Sequence, residues 1–244
     1  MKSKITIKKI QDLLIKGVHT IPVDDDTSRR MWWASLEVIQ KDFLSKNCQQ
    51  GGIWVASPLP ALNDKKTFNQ LHGWLWSPEG FPYFQKENAG FLPVNHSAKI
   101  TKDFDLISNY KVLNLSQKDG YEPFLMIITP NFQCILSIAG EKDNKFLLMK
   151  CDEESLKISI ELMHAKLNQE NYEEGVKFRN AINNLGNLNI NYQFEKTFWP
   201  ILSAKLAKLG SNHNIQSSAK NDKKNEQITE AKLLSAISHE VRTP

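Results

Sequence analysis

Cysteine is scarce. Cys48, Cys134 and Cys151 are the only three in 244 residues, and none forms a CxxC pair. An odd count without paired spacing excludes a disulfide framework or a zinc ribbon and fits reduced, buried thiols. No local motif around any of them supports attachment of a chromophore. Long apolar runs are also missing: the run Phe124 to Ile128 is far short of the roughly 18 residues that a membrane span needs. The N-terminal stretch MKSKITIKKIQDLLIKG starts basic, but charges recur through it, so it does not read as a signal peptide. Nor is there an excess of one charge. The 31 basic and 27 acidic residues leave a net charge of +4, spread along the chain. Such a balance gives no footprint for nucleic acid or an anionic membrane. The expectation is a cytoplasmic protein with no membrane span and no nucleic-acid partner.

Several catalytic signatures are absent as well. There is no GxSxG, no HExxH, no phosphate-cradling P-loop and no DxGxG. A standalone hydrolase or transferase therefore has little support.

What is present is an ordinary globular composition, 41% hydrophobic and 24% charged. The pattern predicts an α+β fold over residues 1–208. KKIQDLLIKGV suggests a first short helix. A second is expected to start near Thr27, capped by Asp26 or Thr27, with Trp33, Leu36, Ile39 and Phe43 at helical spacing. GGIWVASPLP carries a strand signal, and Glu122 to Cys151 reads as a three-strand antiparallel meander broken by Pro130–Asn131 and EKDNK. Helices follow over Glu154–Leu167, Tyr172–Leu185 and Phe198 to about Leu209. Helices, a strand, a meander and then helices argue against a doubly wound parallel sheet. From Gly210 to Glu226 the chain is polar, with Ile215 its one large apolar residue. Such a stretch cannot offset its ordering entropy, so residues 209–227 are expected to be a flexible linker.

The final stretch, 228–244, regains helical periodicity. With Ile228 at zero and ~100° per residue, Leu233, Leu234, Ile237 and Val241 fall between about 140° and about 240°, whereas His239 falls near 20°. The helix thus has an apolar stripe for a partner and turns an imidazole to the opposite side. An exposed imidazole with a free pKa of about 6.5 keeps a nucleophilic lone pair at neutral pH. Adjacent Glu240 can orient the ring and take a proton as the other nitrogen attacks. Thr243, one turn on, can hold a water, Arg242 can hold phosphate oxygens, and Pro244 bends the helix at the site.

These residues, SHEVRTP from Ser238 to Pro244, resemble the phosphoacceptor box of sensor histidine kinases, S-H-E-apolar-[K/R]-[T/N]-P, at all seven positions. The resemblance covers about the last 17 residues. It implies that His239 is the phosphoacceptor, Glu240 the helper acid/base and Thr243 the residue of the phosphatase water. It also implies a homodimer through this helix. Phosphate would come from ATP with Mg, both bound by a catalytic domain that this chain lacks, and would pass to a response-regulator receiver domain. On this reading the chain is an N-terminal fragment of a longer kinase, since it stops right after the proline. Residues 1–208 would be its signal-input domain, and their layout is similar to GAF domains or to the DICT domain found before two-component kinases, mainly in cyanobacteria. The alternative is a non-enzymatic ligand- or protein-binding module with a vestigial tail.

Candidate sensing residues in 1–208 are few. Arg29 and Arg30 beside Trp32 and Trp33 could form an anion or cation–π site, though Trp33 as core with solvated arginines is preferred. Trp74 and Trp76 alternate as in a strand and could line a pocket, with packing the preferred reading. His19, His72, His96 and His164 lack metal-ligand spacing, so no metal is expected.

Overall fold

The computed structural model describes residues 4–16, 18, 21–58, 61–62, 70–78, 110–191 and 193–216, with side chains as far as residue 208. Its centre is a six-stranded mixed sheet in the order β3-β2-β1-β4-β5-β6. The strands are β1 (Gly52–Ser57), β2 (Leu71–Ser77), β3 (Tyr110–Asn114), β4 (Phe124–Ile128), β5 (Gln133–Glu141) and β6 (Asn144–Lys150). β4, β5 and β6 form the antiparallel meander expected from Glu122 to Cys151. β1 runs antiparallel to β4 but parallel to β2, and β2 runs parallel to β3. Half the sheet is therefore parallel, which the order of elements along the chain does not disclose.

Helices cover both faces. On one lie α1 (Ile7–Leu14), α3 (Glu153–Glu170) and α4 (Tyr172–Asn184); on the other lie α2 (Asp25–Val38) and α5 (Phe194–Gln216). Each face carries its own apolar cluster. Trp54, Leu75, Leu125, Ile127, Leu136 and Met149 point towards α2 and α5. Val55, Trp74, Trp76, Met126, Ile135 and Leu148 point towards α1, α3 and α4. With both faces covered, the central strands need apolar residues at every position. That is why β1 reads GIWVAS and β4 reads FLMII, without the alternation of a half-exposed strand, and why all five residues of β4 are buried.

Local chemistry sets the helix ends. α2 starts at Asp25, capped by Asp24, whose carboxylate accepts from the N–H and hydroxyl of Thr27. This start is two residues earlier than expected, because Asp24, just before the run DDT, is the aspartate whose carboxylate reaches the N–H of the third helical residue, Thr27. The core face also differs from the expected one at the tryptophans: Trp32 is buried in the core and Trp33 packs half-buried at its edge. Beyond Val38 the helix widens into a π-helical segment, Ile39–Leu44, followed by short turns to Gln50. Here Gln40, Ser45 and Asn47 donate side-chain hydrogen bonds to the carbonyls four residues back, competing with the backbone ladder. α3 and α4 are capped by Asp152 and Asn171 and agree closely with the expected helices. α5 starts four residues before Phe198 and runs on to Gln216.

Tight packing fixes the β1–β2 pairing. Gly73 lies opposite Trp54, and a Cβ there would sit 2.2 Å from the indole. Only glycine lets that ring lie across the neighbouring strand.

Candidate functional site

The one buried cluster of opposite charges among the described residues lies between the sheet and α3. Lys166 is 0% exposed, although it is a lysine. It occupies the apolar side of α3 with Met163 and Leu167 as helical neighbours. Its ammonium donates to Asp119 Oδ1 at 2.6 Å and to Glu170 Oε1 at 2.8 Å, and lies 5.3 Å from the centre of the Trp76 ring. The Trp76 indole N–H donates to the other Glu170 oxygen at 2.6 Å. One turn along, the Trp74 indole N–H donates to Glu174 at 2.9 Å, and Lys177 pairs with the same carboxylate at 2.8 Å.

Asp119 is the hub. It sits in a short 3-10 turn, Gln117–Asp119, where it closes a reciprocal cap with Ser116. Its Oδ1 also accepts from the N–H of Ile7 at 3.0 Å, in the first turn of α1. Burial opposes its ionisation, but the hydrogen bonds from Lys166, Ser116 and Ile7 outweigh burial and hold its carboxyl below the ordinary aspartate value. Glu174 follows the same pattern: burial pushes it up, and Lys177 and Trp74 bring it below the ordinary value. Each carboxylate thus has an ammonium partner, with Lys166 serving two and the exposed Lys177 one. The cluster ties α1, the 116–120 turn, β2, α3 and α4 together. It has no free nucleophile or open donor set, so its chemistry is that of a structural clamp.

A second anchor holds α5, the helix that leads out of the domain. Phe194 meets Phe43 edge-on at 4.6 Å and Phe132 at 5.0 Å; Phe198 continues the stack at 5.4 Å, and Trp199 follows at 5.1 Å. Phe43 belongs to the π-helical segment and stacks on Phe132 at 5.9 Å. Lys205 reaches Glu37 of α2 at 2.6 Å, and Lys41 shares that carboxylate at 2.7 Å.

The residues singled out in the sequence have diverse fates. Trp74 and Trp76 lie on one face of β2, as expected, and are fully buried. They are packed, and each indole donates to a glutamate of the helix layer. Arg30 is exposed and donates to Thr27, while Trp32 is the core residue. His72 is exposed. His164 is half-buried against Asn168 at 2.9 Å, with burial and Arg179 lowering its pKa. No group of three His, Cys, Asp or Glu side chains that could hold a metal occurs among the described residues, and no helix among them is long and apolar enough to cross a membrane. His19 and His96 lie outside the described residues, as do His239, Glu240, Arg242 and Thr243. The sequence reading missed Asp119, Lys166, Glu170 and Glu174. The signal was there in Lys166, a cation on the apolar stripe of a helix four residues before a glutamate.

Residues 8–211 match the family described as a domain of unknown function, DUF8628. The chain belongs to that family. The match begins in α1 and ends in α5, so the DUF8628 domain comprises both helix layers and the whole sheet. The charged clamp and the aromatic anchor of α5 both fall inside the DUF8628 region. No curated protein and no solved structure matches the chain significantly.

Proposed function

We propose that the DUF8628 domain is the signal-input unit of a sensor histidine kinase and that His239 is its phosphoacceptor. The observation that carries this reading is the heptapeptide SHEVRTP, on a helical phase that separates His239 from the stripe Leu233, Leu234, Ile237 and Val241. Two features of the fold support it. α5 is a single helix that starts in the aromatic core and runs to Gln216, into the first residues of the stretch 209–227 that precedes the phosphotransfer segment. The clamp around Lys166 ties β2 and the helices α1, α3 and α4 into one unit that could pass on a change of shape.

In this reading the His239 imidazole attacks the γ-phosphorus of ATP presented by a separate catalytic domain, which would also carry the Mg, and ADP leaves as the bond from that phosphorus to its bridging oxygen breaks. Glu240 accepts the proton leaving the ring and keeps the attacking nitrogen unprotonated. Arg242 neutralises the phosphoryl oxygens. Thr243 orients the water that later removes the phosphoryl group. The stripe pairs with a second copy to make the helical bundle in which a receiver domain docks.

The test is phosphorylation in trans. The chain is incubated with a histidine-kinase catalytic domain and labelled ATP, and the label is assayed for acid lability. Wild type is expected to carry acid-labile phosphate and His239→Ala none. Equal labelling of the two removes the phosphoacceptor assignment and returns the chain to the binding-module reading.

A further inference from the structure

Two of the three cysteines face each other across the meander. In the β4–β5 ladder, the N–H of Ile138 donates to the carbonyl of Pro123 at 3.0 Å, and the N–H of Thr129 donates to the carbonyl of Phe132 at 2.8 Å. Even-numbered residues of β5 thus direct their amides to β4. Since successive amides point to opposite edges of a strand, the odd-numbered ones bond to β6. The outer edge of β6 agrees: Lys145 exchanges both backbone hydrogen bonds with Val23, at 2.8 and 2.9 Å, so its even-numbered neighbours bond to β5.

The register pairs Ile135 with Lys150. One step further, Cys134 stands opposite Cys151, at a non-hydrogen-bonded position. Cα atoms in such pairs lie about 4.5 Å apart, with the side chains closer than at hydrogen-bonded pairs. A disulfide spans Cα separations of about 4.4–6.8 Å. Both thiols belong to the same apolar cluster. Cys134 is 0% exposed and Cys151 is 8% exposed, so the second is the one an oxidant meets first. Burial, together with the carboxylates of Glu195 in the first turn of α5 and of neighbouring Asp152, pushes the Cys151 thiol above its ordinary value. Cys48 is engaged elsewhere, donating to Gln70 Oε1 at 2.8 Å.

We infer that Cys134 and Cys151 are a redox modification site, a dithiol that a hydroperoxide converts into a cross-strand disulfide beneath the first turn of α5. Cys151 is oxidised first. Its sulfur takes the terminal oxygen of the peroxide, giving a sulfenic acid and releasing water from hydrogen peroxide or an alcohol from an organic hydroperoxide. The Cys134 sulfur then attacks the Cys151 sulfur, the S–O bond breaks, and the hydroxyl leaves with the Cys134 proton as a second water. The peroxide gains two electrons and the two thiols lose them. Exchange with an external dithiol reverses the step. This site does not depend on the kinase reading.

The test uses the full chain in its folded state. It is treated with hydrogen peroxide, quenched with catalase, unfolded, alkylated and digested without reduction. Mass spectrometry is expected to find the Cys134 peptide joined to the Cys151 peptide, two hydrogens lighter than their sum, with Cys48 alkylated. Dithiothreitol should restore three alkylatable thiols. Cys134→Ser, treated in the same way, should stop at a sulfenic acid on Cys151 that dimedone traps. If that variant does not fold, the wild-type peptide map decides alone. Full alkylation of Cys134 after peroxide treatment, a link through Cys48, or a Cys134–Cys151 link formed only in urea would overturn the inference.

Discussion

Replacing Lys166 by methionine keeps most of the side chain's apolar length and removes its ammonium. Wild-type Lys166 satisfies two carboxylates and lies over an indole, all out of water. Without it, Asp119 remains fully buried with only Ser116 and the Ile7 N–H as donors. Glu170, whose side chain is 16% exposed, keeps the Trp76 N–H and some water. Breaking one side of a buried pair costs about 3–5 kcal/mol. With a urea slope of about 2–3 kcal/mol per molar for a chain of this size, the unfolding midpoint should fall by about 1–2.5 M at pH 7. Tryptophan fluorescence reports it, since Trp74 and Trp76 both contact the cluster.

The pH dependence sharpens this prediction. Folded wild-type Asp119 ionises below its unfolded value of 3.8, so its stabilisation is complete above that pH and is lost as pH falls through the folded value. In the variant, burial acts on Asp119 without the opposing ammonium, so the folded protein takes up a proton more readily than the unfolded chain. The gap between wild type and variant should therefore narrow from pH 7 towards pH 4. Adding Asp119→Asn to Lys166→Met should recover part of the loss, because the fully buried charge is gone and only the partly exposed Glu170 lacks its ammonium. A midpoint shift below about 0.3 M, or a gap that is the same at pH 7 and pH 4, would refute the clamp.

Other outcomes follow from the same packing. Gly73→Ala places a methyl group 2.2 Å from the Trp54 indole and should lower stability by about 1–3 kcal/mol, read by thermal unfolding. Phe198→Ala empties a fully buried position beneath α5 and should cost about 3–5 kcal/mol, with increased hydrogen exchange in residues 194–208. Gln11→Leu removes the amide that reaches the carbonyls of Glu122, Pro123 and Ile138 and the Ser137 hydroxyl; the Pro123 and Ile138 carbonyls keep other donors, so the loss should be about 0.5–1.5 kcal/mol in urea unfolding. In the folded chain at pH 7, iodoacetamide should leave Cys134 unmodified, since burial pushes its thiol far up and hides it.

Local features were legible along the chain. The meander, α3 and α4 follow from apolar runs, turn residues and caps that act over a few neighbours, and the phase of His239 against Leu233 and Val241 needs nothing but helical geometry. The helical start of α2 was misplaced by two residues because Asp24, Asp25 and Asp26 all qualify as caps, and the choice depends on which side of the helix the core takes. What tertiary structure alone decided is long-range. The parallel pairing of β1, β2 and β3 joins strands far apart in the chain and leaves no mark at the level of a single strand. Asp119 and Lys166 are 47 residues apart, and neither is marked until the fold closes them into one dry pocket. Cys134 and Cys151 become neighbours only through the register of β5 on β6. Sequence sets periodicity and capping because those are contests among adjacent residues; pairing, charge burial and thiol proximity are contests among surfaces, and only the packed sheet and its two helix layers resolve them.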